Sequence, residues 1–257
     1  MAKLTAEKRQ AQIVTMLAQN GAMKSTDLSR HFGVSRETIR RDLITLNEAG
    51  EIKKYFGSAI PAHDFSIEPV SKRSMENHEL KERIARKALS LMPSPAIVFI
   101  DTGSTPLCFA QLLKPLSGYT VITNSMPVVN ELIESDNQVI IAGGTLNHRI
   151  WATCGLQTAS FLQTVKVEFA ILGSSGFERH HGPASNNFDD ANIKQAVIDG
   201  AMTSLVLADS TKASYSSLLQ YASWRDISYL ITDAGISDTK QEEIAAMTDV
   251  VIVDVDE

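Results

Sequence analysis

The chain has 257 residues, 44% apolar and 21% charged, the profile of a folded protein with one small and one ordinary domain rather than a disordered or fibrous one. Its longest apolar run, Ala96 to Ile100, is far too short to span a bilayer, no secretory signal is visible, and Cys108 and Cys154 are too few for a disulfide framework or zinc site, so the expectation is a cytoplasmic protein with no membrane contact, metal or cofactor. The net charge of −6 hides a division, +4 through Ile60 and −10 beyond it, which concentrates attraction for a phosphate backbone at one end.

A first helix is expected from about Ala6 to Gln19, with Ile13 and Leu17 turned to a small core. Ser25 to Phe32 reads as a short helix with a Ser cap, and Gly33 breaks it with the tight turn of a helix-turn-helix. The second helix runs from Arg36 to Leu46, with Ser35 as N-cap and Val34 positioned to staple against Ile39. Ile39, Leu43 and Leu46 share its inner face. That leaves Ser35, Arg36, Thr38, Arg40 and Arg41 on the outer and N-terminal side, where a recognition helix meets double-stranded DNA. Gly50 ends the helix, and Glu51 to Ile60 reads as a hairpin, a wing whose Lys53 and Lys54 hold phosphates. The winged helix-turn-helix domain is thus residues 1–60.

Residues 61–75, punctuated by Pro61 and Pro69, read as a linker. A helix follows from about Glu76 to Leu91, with Lys81, Glu82, Arg83, Arg86 and Lys87 on its solvated face, and Pro93 and Pro95 close it. The texture then changes to short apolar runs ending in small polar residues, alternating with helices. These runs end at Asp101–Thr105, Thr123–Ser125, Gly143–Thr145, Gly173–Gly176 and Asp209–Lys212. Such a pattern means an α/β domain, residues 76–257, with a largely parallel sheet whose carboxyl edge collects five polar loops into a ligand site. Gly103, Ser104 and Thr105, at a helix start, carry phosphate-binding chemistry: backbone N–H donors, hydroxyls and no bulk. Lys212 adds positive charge, and Asp101 and Asp209 are acceptors for sugar hydroxyls. Asn124, Ser125, Gly143 and Gly144 belong to the same expected edge. His180 and His181 read as a solvated loop, and Trp151 and Trp224 as packing residues.

These motifs resemble, over nearly the whole length, the DeoR-type bacterial transcriptional repressors. The strongest match is Ser35 to Leu43, similar to the family's signature helix; the five polar loops look like family motifs too. Lys194 falls where the family often has a basic residue on the helix before the Asp209 strand. The resemblance implies an effector domain similar to ribose-5-phosphate isomerase, binding a phosphorylated sugar or sugar derivative, with homo-oligomerisation as dimer or tetramer and control of a carbohydrate operon. Two departures stand out. The family's wing often carries His-Gly-Gly-Ala where this chain has Phe56-Gly57-Ser58-Ala59. The loop before the last effector helix usually holds a Glu where this chain offers Phe188-Asp189-Asp190-Ala191, and Asp190 then addresses hydroxyls with a shorter reach.

The expected function is a DNA-binding regulator, a repressor rather than an enzyme, without catalytic residues. Two alternatives stand beside it: an isomerase-like enzyme with a DNA-binding head, using Asp101, Asp209 and Lys212 for proton transfer, and an activator of the same architecture.

Overall fold

Amphipathic helices of the amino-terminal quarter pack through their apolar stripes. The computed structural model describes residues 5–20, 23–49, 52–55, 58–61, 70–148 and 150–253, and the chain divides into two compact units, residues 1–66 and 67–257.

In the first unit, α1 (Ala6–Asn20), α2 (Ser25–Phe32) and α3 (Arg36–Glu48) bury Ile13, Leu17, Leu28, Ile39, Leu43 and Leu46 together. Gly33 has φ +61°, a left-handed turn that glycine adopts without steric cost. Ser35 caps α3 by accepting from the Thr38 N–H at 3.1 Å. Ser25, expected as the cap of α2, is its first helical residue instead, and Lys24 stands at the cap position without a side-chain bond. The reason is a short strand, β1 (Met23–Lys24), that pairs with the wing and brings the chain into α2 in extended form. The wing itself is β2 (Ile52–Tyr55) antiparallel to β3 (Ser58–Pro61). Gly50, Phe56, Gly57 and the side chains of Lys53 and Lys54 lie outside the described residues. A buried ion pair joins α1 to α3: Asp42 accepts from Arg9 Nε at 2.6 Å and Nη2 at 3.0 Å.

In the second unit, residues read as linker form α4 (Val70–Met75), and the next helix, α5 (His78–Ser90), starts two residues later than expected. Asn77 between them has φ +50°, the left-handed geometry that an Asn side chain tolerates and that breaks one helix into two. Alternation then follows: β4 (Ala96–Ile100), α6 (Ser104–Leu113), β5 (Tyr119–Thr123), α7 (Met126–Leu132), β6 (Gln138–Ile141), the hairpin β7 (Thr145–Asn147) and β8 (Ala152–Cys154), α8 (Leu156–Thr164) and β9 (Val167–Gly173). The rest is β10 (Ala184–Ser185), α9 (Phe188–Ile198), β11 (Ala201–Leu207), a 3-10 turn at Ser210–Ser214, β12 (Leu219–Gln220), a second at Trp224–Asp226, β13 (Tyr229–Asp233), α10 (Asp238–Ala245) and β14 (Asp249–Val253).

Seven strands form one fully parallel sheet in the order β14-β13-β11-β9-β4-β5-β6. Residues alternate between its faces, so Val98 and Ile100 join Ile84, Phe109 and Leu132 on one side, while Phe99 joins Leu162, Ile193 and Ile244 on the other. Helices thus cover both faces. This architecture sets β4, β9 and β11 side by side in the middle of the sheet, and their carboxyl ends open on a common edge. β13 and β14 were not among the strands anticipated from sequence.

Candidate functional site

That common edge carries a narrow cleft, about 500 Å³ when the open space at its mouth is counted in. Gly103, Ser104, Thr105 and Pro106 wall it where β4 turns into α6; Gly173, Ser174 and Ser175 come from the end of β9, and Ala208 and Lys212 follow β11. Gly103 gives α6 no side-chain cap, so the backbone N–H groups of Ser104 and Thr105 and the positive end of the helix dipole lie at this wall. Lys212 is half-buried, its ammonium 5.4 Å from the centre of the Tyr215 ring. Asp190 and Lys194 line the cleft from α9.

Lys194 is held in a charge network beneath this floor. Its Nζ lies 2.6 Å from Asp101 Oδ2 and 2.8 Å from Asp190 Oδ1. Ser185 Oγ donates to the other Asp190 oxygen at 2.6 Å, and the Gly173 N–H donates to Asp101 at 2.9 Å. The Tyr221 ring packs against the ammonium at 5.7 Å, with its hydroxyl donating to the Gly173 carbonyl. Two carboxylates against one ammonium leave the cluster with one surplus negative charge. Burial pushes the Asp101 carboxyl up to about 6, with Asp190 adding repulsion and Lys194 opposing the shift. The same two carboxylates raise Lys194 against its own desolvation.

A pH dependence follows. Asp101 ionises near 4 in an unfolded chain, below its folded value, so its contribution to stability is full below that pH and lost as pH rises through about 6. The stability of the parent protein relative to Asp101→Asn is therefore expected to fall between pH 4 and pH 7. Thermal midpoints of both proteins across that range read this directly; a parent midpoint that holds level or rises relative to the variant's as pH increases contradicts it.

Several anticipated residues lie elsewhere. Asp101 is fully buried below the cleft rather than on its wall. Asp209 caps the 3-10 turn by accepting from the Thr211 N–H and hydroxyl. Asn124 donates to the Thr153 carbonyl at 3.1 Å, and Ser125 caps α7 through the Val128 N–H. Gly143 and Gly144 border a separate surface depression with Thr145, Gln157 and Phe161. A Cβ on Gly144 would stand 2.0 Å from Thr158 Oγ1 and 2.7 Å from the Cys154 carbonyl, so glycine there serves close packing. For Asn124, Ser125, Gly143 and Gly144 the cause is strand order. β5 and β6 run outward from β4 to the sheet's edge, away from the β4-β9-β11 centre.

Arg73, on α4, is a cleft residue the sequence did not disclose. Lys81, read as solvated, is 4% exposed and donates at 2.6 Å to both the Arg73 and Glu76 carbonyls, so it holds the carboxyl end of α4. Trp151 is 57% exposed with φ +52° and is not a core residue, whereas Trp224 is buried edge-on against Phe177. His180 Nε2 lies 2.7 Å from the Ser217 carbonyl.

In the first unit, α3 presents its polar side as expected. Arg36, Arg40 and Arg41 are exposed. Ser35 Oγ and Thr38 Oγ1 share a hydrogen bond of 2.9 Å at the start of the helix, and Glu37 binds both Arg40 and Arg41. Glu37 is lowered to about 2, first through its hydrogen bond with Arg40.

Residues 9–64 match the model of the DeoR-like helix-turn-helix domain, and residues 76–234 that of the DeoR C terminal sensor domain. The HTH-type transcriptional regulator GlpR of Haloferax volcanii is 31% identical, over 92% of this chain and 93% of that protein. The glycerol-3-phosphate regulon repressor of Escherichia coli K12 is 31% identical over 86% of this chain and 88% of its own length. The putative aga operon transcriptional repressor of Escherichia coli O157:H7 is 30% identical over 90% and 87%. Among solved structures, ribose 5-phosphate isomerase A from Methanocaldococcus jannaschii superposes with a TM-score of 0.40 and 17% identity, over 53% of this chain and 55% of that one.

Proposed function

The chain belongs to the DeoR family of DNA-binding transcriptional regulators, and on that premise we propose that it represses a carbohydrate-utilisation operon and releases it on binding a phosphorylated sugar or sugar derivative. One observation carries the reading: the central cleft joins the backbone donors at the start of α6 to the cations Lys212 and Arg73, with the hydroxyl-binding candidate Asp190 at the same opening. An anion belongs against the former and hydroxyls against the latter.

In this scheme the phosphate rests on Gly103, Ser104 and Thr105. Arg36, Thr38, Arg40 and Arg41 contact operator DNA from α3, with Ser35 setting the start of that helix and Lys53 and Lys54 adding phosphate contacts from the wing. Asn124, Ser125, Gly143, Gly144 and Asp209 support the fold around the site, and Asp101 and Lys194 support its floor. The protein works as a homo-oligomer in the cytoplasm, and its operator carries repeated half-sites that mirror the oligomer's symmetry. Among the described residues no helix is long and apolar enough to cross a membrane. Relatives carrying the names of regulon and operon repressors support regulation over catalysis.

A thermal-shift screen tests the cleft. The full chain is heated with phosphorylated sugars, glycerol 3-phosphate, the unphosphorylated parents and inorganic phosphate. A ligand that binds only the folded state raises the midpoint by mass action. The expected result is a selective rise with one phosphorylated compound and none with its parent. A rise with the parent sugar alone removes the phosphate from the scheme.

A further inference from the structure

The charges on α3 are arranged in a way that a helix merely in need of basic residues does not require. Glu37 and Arg40 form a two-pronged pair: Arg40 Nε donates to Glu37 Oε2 at 2.7 Å, and Nη2 donates to Oε1 at 2.8 Å. Arg41 reaches the same carboxylate with a single bond, Nε to Oε1 at 3.3 Å. All three side chains are at least half exposed, so the pair adds little to folding. It fixes a direction instead. A guanidinium offers five N–H donors on a rigid plane. Here the side edge, Nε with one hydrogen of Nη2, is spent on Glu37. Of the three N–H groups that remain, two form the end edge, one from each of Nη1 and Nη2, facing away from the carboxylate.

That end edge matches the paired acceptors O6 and N7 which guanine presents in the major groove, the geometry by which an arginine distinguishes G·C from every other pair. An arginine already held in place also loses less side-chain freedom on docking. The Glu37 charge lowers the trio's net charge from +2 to +1, which weakens sequence-blind attraction to phosphates relative to base reading. Arg41, held by one bond, has no such orientation and suits a phosphate.

We propose that Arg40 reads a guanine of the operator through its end edge and that Glu37 is the positioning residue that aims it. This rests on the assignment of α3 to DNA. The experiment begins with selection of duplexes from a randomised library by the full-length protein. The selected duplex and its single-pair substitutions are then titrated with the parent protein, Arg40→Lys and Glu37→Gln at two salt concentrations. Arg40→Lys keeps the charge but loses the fork. It is expected to lose discrimination of about fivefold or more at one G·C pair per half-site, while its affinity for unrelated duplex stays within about twofold. Glu37→Gln is expected to lower discrimination at that same pair and to tighten binding to unrelated duplex. Retention of every G·C preference by Arg40→Lys overturns the proposal. So does a Glu37→Gln protein whose losses spread evenly over all positions. Selection of no duplex by the parent protein withdraws the DNA assignment itself, a separate result.

Discussion

Ser104→Asp is expected to abolish the response to the phosphorylated effector while leaving operator affinity within about twofold of the parent. Ser104 opens α6, is 6% exposed and lines the cleft beside Gly103 and Thr105. A carboxylate at a helix N-terminus is favoured by the helix dipole, which offsets part of the cost of placing a charge at so buried a position. It places a fixed negative charge where the phosphate would rest and occupies the same N–H donors. Bulk and repulsion then act together, and effector binding should weaken by about a hundredfold or more. α3 belongs to the other unit, so the DNA contacts proposed for it are expected to persist. The readouts are the thermal shift with phosphorylated sugar and a titration of operator duplex. A variant that still responds normally removes the phosphate from that loop.

Lys194→Met is expected to carry the largest stability cost in the effector unit, on the order of 3–5 kcal/mol. The ammonium is 4% exposed and stands between two carboxylates that are as deeply buried. Removing it leaves Asp101 and Asp190 facing each other without the counter-charge that pairs with both. Replacing all three with uncharged residues, Asp101→Asn and Asp190→Asn together with Lys194→Met, should recover much of the loss, because the penalty belongs to the orphaned charges rather than to the missing lysine. Thermal unfolding of the single and triple variants separates these cases. A Lys194→Met protein that melts with the parent would show that the carboxylates carry no charge in the fold.

Much of this architecture was legible along the chain because its signals are local. The period of Ile39, Leu43 and Leu46, the break at Gly33 and the cap at Ser35 each act within a few residues, and α3 begins where they place it. The same holds for β4, β5, β6, β9 and β11, whose apolar runs end in small polar residues. What failed was convergence. Five polar loops look alike in sequence, yet only those leaving adjacent central strands can share a cleft, and adjacency is a property of strand order. Asn124 and Gly144 consequently hold neighbouring backbone and helix rather than facing the opening. Arg73 was hidden for a related reason. α4 has six residues, too short to show a period, and its end is held by Lys81, whose charge suggested solvent. The link from Asp101 to Lys194 spans distant segments, and no spacing rule announces it.

In the proposed scheme, sugar phosphate and operator bind one protein at coupled sites. Coupling is reciprocal in free energy, so it can be read from both ends. Operator affinity is measured with and without the phosphorylated sugar that raises the thermal midpoint, and sugar affinity with and without a saturating operator duplex. Sugar is expected to weaken operator binding by about tenfold or more, and operator to weaken sugar binding by the same factor, if this coupling holds. A sugar that binds the cleft and leaves operator affinity unchanged would contradict it.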